Sequence, residues 1–148
     1  MNAPAIRQPS ANRRWPMTRE AWRTLVDELG QLRIEVAALA RARAPDNGVV
    51  HFPAFKATRR LDVLSAVLDA SEKVHEPDRA VIGRRVTVLE EGESVTYSLV
   101  FPGDGDPVQG WISADSPFGA AILGCSPGDI VEVDAPVGRR AVTVLSVE

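Results

Sequence analysis

Ile112-Ser113-Ala114-Asp115-Ser116-Pro117-Phe118-Gly119-Ala120-Ala121-Ile122-Leu123-Gly124 holds the end of a strand, the start of a helix and its stop within thirteen residues. Gln109–Ser113 alternates and reads as a short strand. Ser116 is of the type that caps a helix, and Pro117 suits the first helical position, where the missing N–H costs nothing. Phe118–Leu123 is then a short helix of mostly small residues, and Gly124 falls just past its end. Ser126-Pro127-Gly128 is a turn into a further strand, Asp129–Asp134.

Around this segment the period is two. Arg85–Leu89 alternates, Glu90-Glu91-Gly92-Glu93 turns, and Val95–Phe101 returns. Pro102-Gly103-Asp104-Gly105-Asp106-Pro107 is a loop dense in breakers. Arg140–Val147 follows Pro136-Val137-Gly138 as the last strand. Residues 79–148 are therefore expected to form a mostly antiparallel sheet of about five strands with one short helix, an α+β arrangement.

Upstream the period is helical. Thr18 can cap a helix with Glu20 in its first turn. Trp22, Leu25, Leu29, Leu32, Val36 and Leu39 then alternate three and four apart, a heptad seam that Val26 and Ile34 widen. Gly30 is a weak point inside that helix. Ala44-Pro45-Asp46-Asn47-Gly48 is a turn, and Val49–Phe52 is extended. Pro53 opens a second helix whose seam is Ala54, Ala57, Leu61, Leu64 and Leu68, flanked by Val63, Val67 and Val74, with Pro77 closing it. Two seams with a short connection predict an antiparallel helical hairpin over residues 17–78, its tip at about 43–52. Residues 1–16 hold two prolines before Trp15-Pro16 is complete and read as a flexible leader.

Composition bounds the function. Charged residues are 25% and hydrophobic residues 45%, ordinary for a globular chain. No apolar run reaches the roughly 18 residues of a membrane helix, and no secretory signal opens the chain. Cys125 is the sole cysteine, which excludes an intrachain disulfide and a cysteine-based zinc cluster. A cytoplasmic location is expected on these grounds. Residues 1–80 hold 13 Lys/Arg and 10 Asp/Glu, and residues 81–148 hold 4 and 10. Any contact with phosphate is thus expected in the first half.

The 112–131 pattern, with Val81-Ile82-Gly83 and Val86-Thr87-Val88 ahead of it and Met17-Thr18 at the hairpin start, resembles the bacterial Gre transcript-cleavage factors, GreA and GreB. That resemblance implies an FKBP-like C-terminal domain that docks on RNA polymerase at its secondary channel, with the hairpin entering the channel. It implies polymerase docking through Asp115, Ser116, Pro117 and Phe118. A helix start is a sufficient local reading of Ser-Pro, and the two readings are compatible.

The tip departs from the family. Cleavage-competent members carry an Asp and a Glu three residues apart, which hold a second Mg²⁺ and position a water. Here Asp46 is followed three residues later by Val49, and Val49–Phe55 has no acid. Asp46, Asn47, Gly48 and His51 are the tip candidates; Asp46 is the weak metal candidate, and an Asx turn is its better reading. His51 could coordinate a metal or move a proton, but with no sequence partner it reads better as a surface residue. No cofactor is expected to be tightly bound, and Mg²⁺ would be shared with the polymerase. The hairpin also reads as shorter than in typical members, which shortens its reach by roughly 10–15 Å. Arg41, Arg43, Lys56, Arg59 and Arg60 cluster near the tip, either as a patch for nascent RNA or the channel lining, or as a solvated face.

These features predict an elongation regulator, not itself an enzyme, with weak or no stimulation of transcript cleavage. A cleavage-stimulating factor and an Rnk-like regulator, which Leu99-Val100-Phe101-Pro102 resembles, are the alternatives. More distant is an isomerase or interaction module, with Tyr97, Phe101, Trp111 and Phe118 around a pocket.

Overall fold

A computed structural model of the chain describes residues 6–7, 14–42, 52–135 and 138–148. Its elements are β1 (Ile6–Arg7), β2 (Trp15–Met17), α1 (Arg19–Arg41), α2 (Phe52–Asp69), β3 (Ser71–Lys73), β4 (Arg85–Glu90), β5 (Glu93–Val100), β6 (Trp111–Ser113), α3 (Pro117–Ile122), β7 (Ile130–Ala135) and β8 (Gly138–Val147), with a 3₁₀ turn at Pro107–Gln109. The class is α+β, a helical hairpin followed by a curled sheet with one short helix.

Thr18 caps α1 as expected: its hydroxyl accepts the Ala21 N–H at 3.0 Å. The seam is buried at its inner end, where Leu25 and Leu29 meet Leu64 and Val67 of α2. Val26 and Ile34 do not widen it. Both face solvent, Ile34 at 65% exposure.

The second helix is shorter than its heptad pattern suggests. It ends at Asp69, not near residue 76, because other backbone partners take over. The Ser71 hydroxyl donates to the Leu68 carbonyl, and the Trp15 N–H takes the Ala70 carbonyl at 2.9 Å. Residues 71–73 then pair in parallel with residues 15–17. Val74 is still buried, as its place in the pattern requires, but beyond this strand, with its N–H on the Met17 carbonyl. Two short strands lie in residues 1–17. Ile6–Arg7 pairs with β7, and Trp15–Met17 forms β2.

The larger sheet has six strands in the order β1-β7-β8-β4-β5-β6. It is mixed rather than antiparallel: β5–β6 and β1–β7 run parallel, while β4–β5, β4–β8 and β7–β8 run antiparallel. One face carries Val86, Val88, Leu99, Val131, Val133, Val142 and Val144 against Ile122 of α3. A second apolar cluster joins the hairpin base to this domain, with Met17, Leu25 and Leu64 meeting Ile82, Phe101 and Ala114. The hairpin is therefore packed on the sheet domain rather than tethered to it.

Candidate functional site

Strand β6 lies at the edge of the sheet and leads directly into the Asp115–Phe118 loop. The Ala114 N–H continues the ladder onto the Val100 carbonyl at 3.0 Å. The chain then turns on one oxygen. The Ser113 carbonyl accepts the Ser116 N–H at 3.0 Å and the Ser116 hydroxyl at 2.7 Å. The Ser116 oxygen in turn accepts the Gly119 N–H at 3.0 Å and caps α3, with Pro117 in the first turn.

Ser113 and Gly119 hold this turn in ways that the sequence did not single out. The buried Ser113 hydroxyl accepts the Gly103 N–H at 3.3 Å and donates to the Asp115 carboxylate. Gly119 lies so close to β6 that a Cβ there would stand 2.0 Å from the Ser113 carbonyl oxygen. A glycine inside a short helix is the sequence signal of such an approach.

The four docking candidates divide by exposure. Asp115 and Pro117 are exposed and Ser116 is half-buried at the cap. Phe118 turns inward, edge-on to Tyr97 with ring centroids 5.2 Å apart. The loop thus presents a carboxylate and a proline on a helix start, held from below by an aromatic pair. Burial raises the Tyr97 phenol above its ordinary value, and its hydrogen bond to Glu90 at 3.1 Å adds to that.

Asp46, Asn47, Gly48, His51 and Arg43 lie outside the described residues. Arg41, Lys56 and Arg59 are exposed on the outer part of the hairpin. Arg60 is not on that surface. It turns toward the sheet domain, where Nε donates to Glu28 at 3.0 Å, Nη1 to the Pro102 carbonyl at 3.0 Å and Nη2 to Asp104 at 2.9 Å. Burial works against its charge, but Glu28 and Asp104 outweigh that and raise its pKa further. No sequence spacing links residues 28, 60 and 104, so only the fold brings them together.

The four aromatics do not line one pocket. Tyr97 and Phe118 pack on the sheet core, whereas Phe101 and the half-exposed Trp111 line a separate groove of about 400 Å³ beside Thr18 and Thr24 of α1. Among the described residues no cluster of three or more His, Cys, Asp or Glu is placed to hold a metal. Over residues 43–55 the sequence holds one acid, Asp46, which falls short of a paired carboxylate set for Mg²⁺. No described helix is long and apolar enough to cross a membrane.

Comparisons with known proteins point to one family. The family model described as "Transcription elongation factor, GreA/GreB, C-term" matches residues 75–148. The transcription elongation factor GreA of Geobacillus kaustophilus is 30% identical over 155 aligned positions, covering 92% of this chain and 98% of that protein. Those positions outnumber the 148 residues here, so that relative carries residues this chain lacks. GreA of Cereibacter sphaeroides is 33% identical over 150 positions, covering 89% and 96%. Among solved structures, the GreA/GreB elongation factor of Nitrosomonas europaea is similar with a TM-score of 0.46 and 23% identity, over 90% of this chain and 98% of that one. The chain belongs to the GreA/GreB family of transcription elongation factors.

Proposed function

We propose that this protein binds RNA polymerase as an elongation regulator that occupies the secondary channel with little or no stimulation of transcript cleavage. The observation that carries the proposal is the pairing of a Gre-type C-terminal domain with a tip that holds a single carboxylate. The domain docks through Asp115, Ser116 and Pro117, where the capped start of α3 offers a rigid polar surface. Phe118 acts from beneath by holding the loop. Arg41, Lys56 and Arg59 give the outer hairpin a positive surface toward nascent RNA or the acidic channel lining.

Cleavage of RNA is chemistry of the polymerase, so the factor's part is to supply ligands and geometry. With Asp46 alone, the tip brings half of the expected carboxylate pair. A hairpin shorter than that of typical relatives acts in the same direction.

The test is competition. A backtracked elongation complex is mixed with a cleavage-competent Gre factor, and this protein is titrated in while the RNA is followed from its 3′ end. A fall in cleavage supports shared occupancy of the channel. Unchanged cleavage at high excess refutes docking. Cleavage stimulated by this protein alone, and lost in Asp46→Ala, would show that one tip carboxylate suffices.

A further inference from the structure

We infer that Arg60 is the clasp that sets the angle of the helical hairpin against the docking domain. The hairpin has one backbone attachment at its base. There Thr18 donates to the Ile82 carbonyl at 3.0 Å and Ile82 to the Pro16 carbonyl at 3.0 Å. A backbone attachment at one end leaves the direction of the outer hairpin to side-chain contacts. Arg60 lies nine residues before the end of α2, about 14 Å out from that base. It ties both helices to the sheet domain at once, through Glu28 of α1 and through Asp104 and the Pro102 carbonyl of the 102–107 loop. The apolar cluster beneath supplies adhesion, which is non-directional, whereas a planar guanidinium with three acceptors fixes a direction.

The same loop reaches the docking turn. The Gly103 N–H rests on the Ser113 hydroxyl, which holds Asp115. The clasp therefore grips the domain at the segment that also braces its exposed loop. Arg60 is a positioning residue: it acts through the hairpin's direction.

The experiment measures that direction in the full chain. Spin labels go on Glu35→Cys, an exposed position of α1, and Ser146→Cys, an exposed position of β8, while the buried Cys125 stays out of reach. Glu35 lies about 24 Å along α1 from Arg19, so a swing of about 15° moves it by roughly 6 Å. The Arg60→Met and Asp104→Ala variants are expected to broaden the distance distribution by about that amount at unchanged helical content. Glu28→Ala leaves the link to the sheet domain in place and is expected to keep the distribution narrow. Arg60→Lys, a point charge that cannot bridge all three acceptors, gives an intermediate width. If Arg60→Met does not fold, Asp104→Ala decides the matter, since it lies in a surface loop. Unchanged distributions in the folded variants overturn the inference. So does a broad Glu28→Ala distribution beside a narrow one for Asp104→Ala, because Arg60 would then act only within the hairpin. The consequence for transcription, weaker channel occlusion at unchanged docking affinity, rests on the function proposed above. The distance measurement does not, so the two can fail separately.

Discussion

The same substitution, glycine to alanine, should have opposite effects at two helical positions of this chain. Gly30 lies inside α1, and a Cβ there would meet nothing within 4 Å. Gly30→Ala therefore gains the ordinary helical preference of alanine, about 1 kcal/mol. Gly119 lies inside α3, and a Cβ there would stand 2.0 Å from the Ser113 oxygen and 3.0 Å from Ile112 Cγ2. The nearer atom is backbone, so α3 and β6 must part by more than 1 Å to reach ordinary contact. That carbonyl also takes both hydrogen bonds from Ser116. Overpacking costs about 1–3 kcal/mol and each weakened hydrogen bond about 1 kcal/mol. Set against the helical gain, Gly119→Ala should lose roughly 2–3 kcal/mol. For a chain of this length 1 kcal/mol moves the melting midpoint by about 3 °C. Calorimetry should then show Gly30→Ala about 3 °C higher and Gly119→Ala about 6–9 °C lower than wild type. Polymerase affinity should fall for Gly119→Ala alone, because Ser116 and Pro117 move with the turn. A Gly119→Ala protein as stable as wild type would refute the close approach of α3 to β6, and with it the account of how the docking loop is held.

Ser116→Asp keeps a capping oxygen but adds charge beside Asp115, and Pro117→Ala keeps the helix start; both should weaken polymerase binding in a pull-down with little change in melting. Tyr97 holds its proton more tightly folded than unfolded, so its contribution to stability is present below about pH 10 and is lost as pH rises through its folded value. As the sole tyrosine, it can be titrated by phenolate absorbance, and Tyr97→Phe should abolish that part of the alkaline fall seen in urea denaturation. Leu64→Ala, at a fully buried position between hairpin and sheet domain, should cost about 2–5 kcal/mol by the same denaturation assay.

Much of the architecture is written in local pattern. The heptad seam and Thr18 mark α1, and Ser116-Pro117 marks α3, because caps and amphipathic faces depend on residues within a turn or two of each other. The alternation in Arg85–Glu90 and Glu93–Val100 marks two strands for the same reason. The end of α2 was not legible. Its apolar spacing runs on to Val74, yet residues 71–73 are a strand because β2, more than fifty residues away in sequence, offers them a ladder. Nor was the parallel pairing of β5 with β6, since strand direction follows from the loop's path rather than from side-chain order.

The candidate site divides in the same way. The capped Ser116-Pro117 turn and the single tip carboxylate are legible along the chain, because they are matters of residue type at short spacing. The tertiary structure decided which side chains that turn presents and which it withdraws. It turns Phe118 onto Tyr97, sets the Ser113 hydroxyl under Asp115, and removes Arg60 from the basic patch to join Glu28 with Asp104. Those partners lie 32 and 44 residues from Arg60 along the chain. Contacts at that separation are set by how helices and strands pack, and packing is a property of the assembled surfaces rather than of any one stretch of sequence.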